Sequence, residues 1–469
     1  MSVPTSVSQL LEQQNVNYSV ALRPDESKVY SVSDLPHEQH LRQLGAARSL
    51  LLQDSEGRVQ VIASADGLFD IQRANQLLDR TLEPVAADDL KGLYEKYQLS
   101  SIPALPKLAG MPTLVDQRLL DQPTVLLDSG ASELLQIDQR DFALMVSGSV
   151  VGDITVPVEA LEHKLQNSGS DEAQLLAAVK SFTAKRIKQR LEETLELPPL
   201  PETAQRIIKL RVDPNADVGD LASIVEIDPS LAAQVVSWAS SPYYSAPGKI
   251  RSIHDAIVRV LGFDMVLNLA LGLALGKTMS IPKDGIHGAT PYWQQAVYTA
   301  ATVEGLVRVI PREQRPGFGM AYLSGLLHNF GWLVLAEVFP PQFSRICRCI
   351  EVNGHIPPNL VEMDVLGVTR DQIASWLMEL WGMPEEVVVA LRHQNNTDGF
   401  TEEHGAYARL VFIAQRLLQQ HGIGQGPRLG IPEAFYEQLN LDKDRARQAV
   451  EAVLESSEEL DNITSQLQA

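Results

Sequence analysis

The chain has 469 residues, of which 45% are hydrophobic and 21% charged, and its formal net charge is −20. This length predicts two or three domains, and the composition is typical of a globular protein. The acidic balance disfavours nonspecific binding to nucleic acid and to anionic membrane surfaces. The chain start lacks a basic region followed by an apolar stretch, and the most apolar run, 265–276, is too short to span a bilayer. We therefore expect a cytoplasmic protein that does not associate with membranes.

Residues 1–150 alternate between strand and helix patterns. Extended patterns at 50–53 and 59–63 flank the polar turn 54–57, which ends in a glycine. A helix is predicted from Asp70 to Leu78, and a second hairpin joins 124–127 to 134–137. This mixture predicts an α+β domain.

Three stretches of this domain resemble the YbaK/ProX family of aminoacyl-tRNA deacylase-like proteins: the opening helix, 44–52 and 112–120. The resemblance implies a lysine tied to deacylation just ahead of the first strand, where this sequence has Arg48. It also implies a Gly-rich stretch that shapes the pocket, where 99–104 has no glycine. Arginine is permanently charged and cannot share the lysine's proton chemistry. The fold is therefore expected without its activity, and trans-editing of misacylated tRNA is the alternative.

A linker is predicted over 151–196, with a continuous helical pattern from Asp171 to Leu195. Its basic stripe could contact nucleic acid or an acidic partner. We favour a solvated face that pairs with nearby glutamates, on a helix that connects two domains. The stripe consists of Lys185, Arg186, Lys188 and Arg190.

Residues 197–400 are almost wholly helical by pattern and predict an all-α bundle around one core. Asp228 and Pro229 supply an N-cap and a first-turn proline to the helix 230–240. A helix predicted over 320–337 has the pair His328-Asn329 in its buried middle. Cys347 and Cys349 lie in another helix with diverging side chains, so we interpret them as ordinary helix cysteines of a reducing compartment.

The motifs of this region, and their order along the sequence, resemble the HDOD domain, a relative of the HD phosphohydrolases. They are 197–204, 228–233, 240–244, 249–257, 261–262 and the central stretch 325–335. The resemblance implies a helical fold with a cleft that, in catalytic relatives, holds one or two divalent ions. It further implies an association with signal transduction.

The residues at the metal-ligand positions depart from the catalytic pattern. Gln295 stands where an early histidine is expected, and His328-Asn329 replaces a His-Asp pair. Arg370 occupies a further histidine position, and His393-Gln394 stands where a terminal His-His pair is expected. A buried divalent ion needs anionic ligands to offset its dehydration. We therefore expect no catalytic metal and no cofactor.

The same five residues, Gln295, His328, Asn329, Arg370 and His393, would line a polar cleft if the fold follows the family. Arg370 could then pair with a phosphate. The alternative is that His328 is a hydrogen-bonded core histidine and His393 a helix-end residue near the negative pole of the helix dipole.

The sequence as a whole predicts a multidomain α+β protein, with a mixed α/β YbaK-like domain, a linker, an all-α HDOD domain and a helical extension at 401–469. The last helix of this extension is predicted over 442–460 and is acidic. The predicted function is that of a non-catalytic adaptor of bacterial signal transduction, which binds a protein partner or a charged, nucleotide-like ligand. The enzyme alternatives are a metal-dependent phosphohydrolase or phosphodiesterase, and an aminoacyl-tRNA deacylase that acts through the N-terminal domain.

Overall fold

The structure, a computed structural model, describes most of the chain. The described residues are 3–21, 42, 45–97, 99, 101–106, 110–131, 133–166, 173–175, 177–178, 199–245, 248–396 and 404–468. Most of the predicted linker helix, including its basic stripe, lies outside these ranges. The described residues 173–175 and 177–178 are helical.

The N-terminal domain is built on a mixed sheet. Its strands are β1 Tyr18–Ala21, β2 Ala47–Asp54, β3 Gly57–Ser64, β4 Gly67–Phe69, β5 Glu83–Pro84, β6 Thr113–Asp116, β7 Thr124–Asp128, β8 Leu134–Asp138, β9 Val150–Gly152 and β10 Thr155–Pro157. The main sheet has the order β1-β8-β7-β2-β3-β6-β9, and β5 pairs with β2. Neighbours β2 and β3 are antiparallel, whereas β3/β6 and β6/β9 are parallel. A separate antiparallel pair joins β4 to β10.

Helices cover the sheet and connect its strands. They are α1 Thr5–Gln13, α2 Ile71–Leu78, α3 Ala87–Tyr97, α4 Gln117–Leu120, α5 Gln139–Met145 and α6 Val158–Gln166. The predicted helix start at Asp70 is confirmed, because its carboxylate accepts the backbone N–H groups of Gln72 and Arg73.

The described residues from 199 onward are mainly helical, as predicted. The helices are α7 Glu202–Arg211, α8 Val218–Glu226, α9 Pro229–Ser240, α10 Ile253–Ala256, α11 Phe263–Gly276, α12 Tyr292–Val309, α13 Phe318–Leu327, α14 Phe330–Val338, α15 Pro340–Val352, α16 Pro358–Leu366, α17 Arg370–Leu380, α18 Glu385–His393, α19 Gly405–Gln420, α20 Glu433–Gln438, α21 Lys443–Glu455 and α22 Ser457–Gln468. The Asp228-Pro229 start of α9 is confirmed, since the Asp228 carboxylate accepts the N–H of Ser230 at 2.9 Å.

Two predicted helices are each interrupted. The single helix expected over 320–337 is wrong, because α13 ends at Leu327 and α14 begins at Phe330. The acidic helix expected over 442–460 is likewise divided between α21 and α22.

One hydrophobic core runs through both domains. The side chains of β3 alternate between two clusters: Val59, Val61 and Ala63 face the core shared with the helical domain, whereas Ile62 faces a smaller cluster beneath α1 and α5. The larger cluster continues from this sheet face through α11, α12, α13 and α19. The sheet is therefore covered on one face by its own helices and on the other by the helical domain.

A long apolar stretch of the described chain lies inside this core. The stretch Phe318–Val338 is long and apolar enough to cross a membrane by length and composition, but 89% of its apolar window is buried within the protein. Burial of this kind is typical of a core helix. Cys347 and Cys349 are also buried and form no disulfide, and burial raises the pKa of each thiol to about 12.

Candidate functional site

The pair His328-Asn329 lies at the break between α13 and α14. Asn329 has φ −97° and ψ 8°, so the chain turns here before α14 begins. Two glycines allow the neighbouring backbones to come close. A Cβ on Gly325 would lie 2.8 Å from Ala300 Cα, and one on Gly331 would lie 2.4 Å from the Arg370 carbonyl oxygen. The break thus brings His328 and Asn329 against α12 and the start of α17.

His328 is buried and neutral near pH 7. Its pKa is lowered from 6.5 to about 4, chiefly by burial and in smaller part by the nearby charge of Arg370, against the opposing effect of a hydrogen bond to Gly325. Nδ1 lies 2.8 Å from the carbonyl oxygen of Gly325. Because a carbonyl oxygen only accepts, Nδ1 carries the proton and Nε2 is the acceptor nitrogen.

Asn329 and Gln295 are held by backbone carbonyl groups of the segment that leads into α12. Asn329 Nδ2 donates to the Tyr292 oxygen at 2.9 Å, and Gln295 Nε2 donates to the Thr290 oxygen at 2.8 Å. The Asn329 Oδ1 atom is buried and has no hydrogen-bond partner among the described residues. An unpaired buried acceptor is costly unless a water or a ligand supplies a donor.

Arg370 forms an ion pair with Glu362, a residue that the sequence did not reveal. Arg370 Nε lies 3.0 Å from Glu362 Oε1, and the Arg370 backbone N–H donates to Oε2 at 2.9 Å. The guanidinium also stacks over the Trp332 ring at 4.8 Å. Glu362 is completely buried, and this burial raises its pKa to about 7 despite the opposing charge of Arg370.

A second polar group borders the same site. The buried Asp371 carboxylate accepts from Gln394 Nε2 at 3.0 Å and from Asn395 Nδ2 at 2.8 Å. Gln394 also donates to the His328 carbonyl oxygen at 2.8 Å. Arg416 is buried beside them with its guanidinium 4.8 Å above the Phe412 ring, and burial lowers its pKa to about 10. Sequence reasoning missed Asp371 and Arg416.

These side chains enclose two adjoining cavities. The inner cavity, of about 50 Å³, is lined by Gln295, His328, Asn329 and Arg370, together with Asp371, Gln394 and Arg416. The outer cavity, of about 320 Å³, is covered by the loop 281–291. Gln295, Asn329 and Arg370 line both cavities, so they form the wall between them.

The prediction for His393 needs correction. His393 is the last residue of α18, as expected, but it lines a different cavity, of about 760 Å³, together with Arg42 and Arg392. The next residue, Gln394, occupies the inner cavity instead. The reason is that α18 ends at His393, and the chain there turns Gln394 back toward α13 and α17.

The donor atoms at this site do not fit a catalytic divalent ion. Both Asp371 oxygens accept amide hydrogens, and Glu362 is bound to Arg370. Two arginines add positive charge to the walls. Across the part of the chain that the structure describes, no group of three His, Cys, Asp or Glu side chains could hold a metal ion.

Arg48 lies within β2 and its side chain contacts the helical domain. It is buried, and Nη2 donates to the Val352 oxygen at 2.8 Å and to Asn353 Oδ1 at 3.3 Å, both in the helical domain. The described part of the segment 99–104 packs on the opposite face of the sheet, where Pro103 O accepts from Gln60 Nε2 at 3.1 Å. The structure therefore does not bring these two features together.

Comparisons with known proteins agree with both resemblances. Residues 197–397 match the HDOD domain family, and residues 26–143 match the aminoacyl-tRNA editing domain family. The crystal structure of a candidate signal transduction protein from Marinobacter aquaeolei VT8 is 41% identical, with a TM-score of 0.86 and coverage of 100% of both chains.

Two further relatives are more distant. The crystal structure of an HDOD domain protein from Geobacter sulfurreducens is 20% identical, covers 62% of this chain and 97% of its own, and has a TM-score of 0.49. An uncharacterized protein of Treponema pallidum (strain Nichols) is 22% identical over 262 residues, which are 56% of this chain and 50% of that relative. The family matches and the full-length relative together show that this chain belongs to the HDOD-domain proteins and carries an aminoacyl-tRNA editing domain of the YbaK type ahead of its HDOD domain.

Proposed function

We propose that this chain is a non-catalytic regulator of signal transduction, in which the HDOD domain recognises a small anionic ligand at Arg370. The observation that carries this proposal is the position of Arg370 in the wall between the two cavities, held there by Glu362 and Trp332. A preorganised guanidinium with a planar fork of donors is well suited to a phosphate or carboxylate.

The dimensions of the cavities support binding in the outer one. At about 320 Å³ it lies at the lower end of the volumes that hold small molecules, whereas the inner cavity, at about 50 Å³, has room only for a few waters. Lys283 and His287 line the outer cavity with Arg370, and Asn329 Oδ1 offers an unused acceptor. A phosphate-bearing ligand with a hydrogen-bond donor, such as a nucleotide, fits this arrangement.

The chemistry of the walls argues against turnover. With a pKa of about 4, His328 is a weak base near pH 7, where a general base should have a pKa close to the working pH. The carboxylates of Glu362 and Asp371 are already bound to Arg370 and to side-chain amides. Recognition without hydrolysis is the role that these residues support.

We further propose that ligand binding alters a surface of this protein to which a signalling protein binds. We place this interaction in the cytoplasm. A signal transduction role is suggested by the name of the Marinobacter relative, which matches over the full length. The two buried free cysteines suit a reducing compartment.

The test is calorimetric titration of the full chain with inorganic phosphate, AMP and GMP. We expect binding of at least one of these probes and a loss of affinity of about ten-fold or more in the double variant Arg370→Gln/Glu362→Gln, which leaves no unpaired buried carboxylate. Arg312→Gln, at an exposed arginine of the same domain, is the control. If none of the probes binds, or if the double variant binds as tightly as the wild type, the proposal fails.

The same samples separate recognition from hydrolysis. We expect AMP and GMP to remain intact after long incubation with added Mg²⁺ or Mn²⁺. Release of phosphate that the double variant does not show would instead support the phosphohydrolase alternative.

A further inference from the structure

Asn353 joins the two domains through its side-chain amide. The residue is fully buried at the end of α15. Nδ2 donates to the Phe69 and Cys349 oxygens, each at 2.9 Å, while Oδ1 accepts the Phe69 N–H at 2.9 Å and Arg48 Nη2 at 3.3 Å. A carboxamide has two donor hydrogens and two acceptor lone pairs, so Asn353 uses its full hydrogen-bonding capacity.

This side chain takes the place of a neighbouring strand. Phe69 is the last residue of β4 and pairs with Thr155 of β10 on one side. On the other side both of its backbone groups bond to Asn353. Arg48 completes the contact by binding the carbonyl oxygen of Val352, the last residue of α15. Carbonyl groups at a helix C-terminus lack partners in the helix and favour positive charge.

The contact is connected to the cleft through the segment that follows Asn353 and through α16. The segment 353–357 connects α15 to α16, and its buried His355 lies beside the backbone of Ala65 and Gly67. The helix α16 packs against α6 of the N-terminal domain. It also carries Glu362, which binds Arg370 in the wall between the cavities.

We propose that Arg48 and Asn353 are positioning residues for the cleft of the HDOD domain. The editing-type domain holds the segment 353–357 in place, this segment holds α16, and α16 holds Glu362 against Arg370. In this account the face of the sheet that carries Arg48 no longer serves tRNA chemistry, because it docks the helical domain and sets the geometry of its cleft. The inference does not depend on which ligand the cleft binds.

Hydrogen–deuterium exchange of the full chain tests the proposal, with Arg48→Ala and the milder variants Arg48→Lys and Asn353→Ser. We expect exchange to become about ten-fold faster in three segments: 66–70, 347–356 and, as the decisive one, 358–372. Exchange in α1 and α21, which lie away from this path, should keep its wild-type rate. Arg58→Ala, in β3 of the same sheet, is the matched control and should leave all three segments unchanged.

Two results would overturn the proposal. One is faster exchange confined to 66–70 and 347–356, which would show that the contact stabilises these two segments alone and does not position the cleft. The other is an equal increase throughout the helical domain, which would reflect general destabilisation. If the domain contact stabilises the cleft, the cleft must also stabilise the domain contact. The variant Glu362→Gln should therefore speed exchange at 66–70, and unchanged exchange there would count against the proposal.

Discussion

Arg370 changes the chemistry of the cleft through its fixed charge. A histidine at this position could give an unprotonated nitrogen to a metal, whereas arginine has no acceptor and is always charged. Its partner Glu362 is buried and has a pKa raised to about 7, which shows how far burial disfavours the bare carboxylate. Arg370 therefore supplies the positive partner of the buried Glu362 carboxylate, and no metal is needed for that role.

His328 should make the protein sensitive to acid. Its folded-state pKa of about 4 lies below its ordinary value of 6.5, so the unfolded chain binds a proton first as the pH falls. This contribution to stability is complete above pH 6.5 and is lost as the pH falls from about 6.5 to about 4. Between pH 7 and pH 4, the wild type should lose roughly 3 kcal/mol more of its free energy of unfolding than His328→Gln, as measured by urea denaturation.

The control for this prediction is His254→Gln, at an exposed histidine of α10. That variant should follow the pH dependence of the wild type. Parallel curves for wild type and His328→Gln would show that His328 does not titrate as its burial implies.

Restoring lysine at position 48 should not restore deacylation. Arg48 points into the domain contact, and lysine cannot bond the Val352 oxygen and Asn353 Oδ1 with the same planar fork. We expect Arg48→Lys to lower the free energy of unfolding by about 1–3 kcal/mol and to leave mischarged tRNA intact. Hydrolysis of mischarged tRNA by the variant would mean that substrate reaches this side chain.

Part of the site could be predicted at the residue level. The order of motifs located Gln295, His328, Asn329 and Arg370, which the structure places around one wall. Glu362, Asp371 and Arg416 were missed, because a buried charge in an apolar helix shows no partner in the sequence. His393 lines another cavity although its helix ends where predicted, because the turn that follows directs the next side chain, Gln394, inward through tertiary contacts.

The break between α13 and α14 decides the geometry of the cleft at the level of elements. Apolar residues flank the pair His328-Asn329 on both sides through 325–335, so the pattern predicts one helix there. The turn at Asn329 depends on tertiary contacts, including the approach of Gly331 to the start of α17, and these leave no periodic signal. By contrast, Asp70 and Asp228 act on their own helices, so local sequence was sufficient to predict where these two helices begin.

Gly331→Ala tests this close approach. An added Cβ would lie 2.4 Å from the Arg370 oxygen, and backbone cannot move aside as a flexible side chain would. We expect a loss of about 1–3 kcal/mol in the free energy of unfolding. The matched control is Gly92→Ala in α3, where a Cβ meets nothing within 4 Å, so stability should stay constant or rise by up to about 1 kcal/mol. Equal effects at both glycines would contradict the packing described.

The whole molecule shares one core, which the sequence did not predict. The mixture of strand and helix patterns in residues 1–150, followed by helical patterns alone, predicted the fold class. Which faces meet across the domain boundary depends on shape and on contacts such as Arg48 with Val352, over 300 residues apart in sequence. Contacts between residues so far apart in sequence cannot be inferred from one sequence alone.

The shared core predicts cooperative unfolding of both domains. All five tryptophans lie in the helical domain, so fluorescence reports on that domain, whereas far-ultraviolet circular dichroism reports on strands and helices of both. Because the sheet face is buried against the helical domain, we expect the two signals to change at the same urea concentration. Separate midpoints would show that the domains unfold independently.

The central claim is that the HD-type cleft of this chain acts by recognition and holds no catalytic metal. The most direct measurement is the divalent metal content of the purified full chain by mass spectrometry, without added chelator, in the wild type and in His328→Ala. We predict far less than one ion per chain in both proteins, because Arg370 and Arg416 add positive charge to the site and the nearby carboxylates of Asp371 and Glu362 already bind side-chain amides and Arg370. One ion per chain in the wild type, lost in His328→Ala, would contradict the account and favour hydrolysis of a phosphodiester.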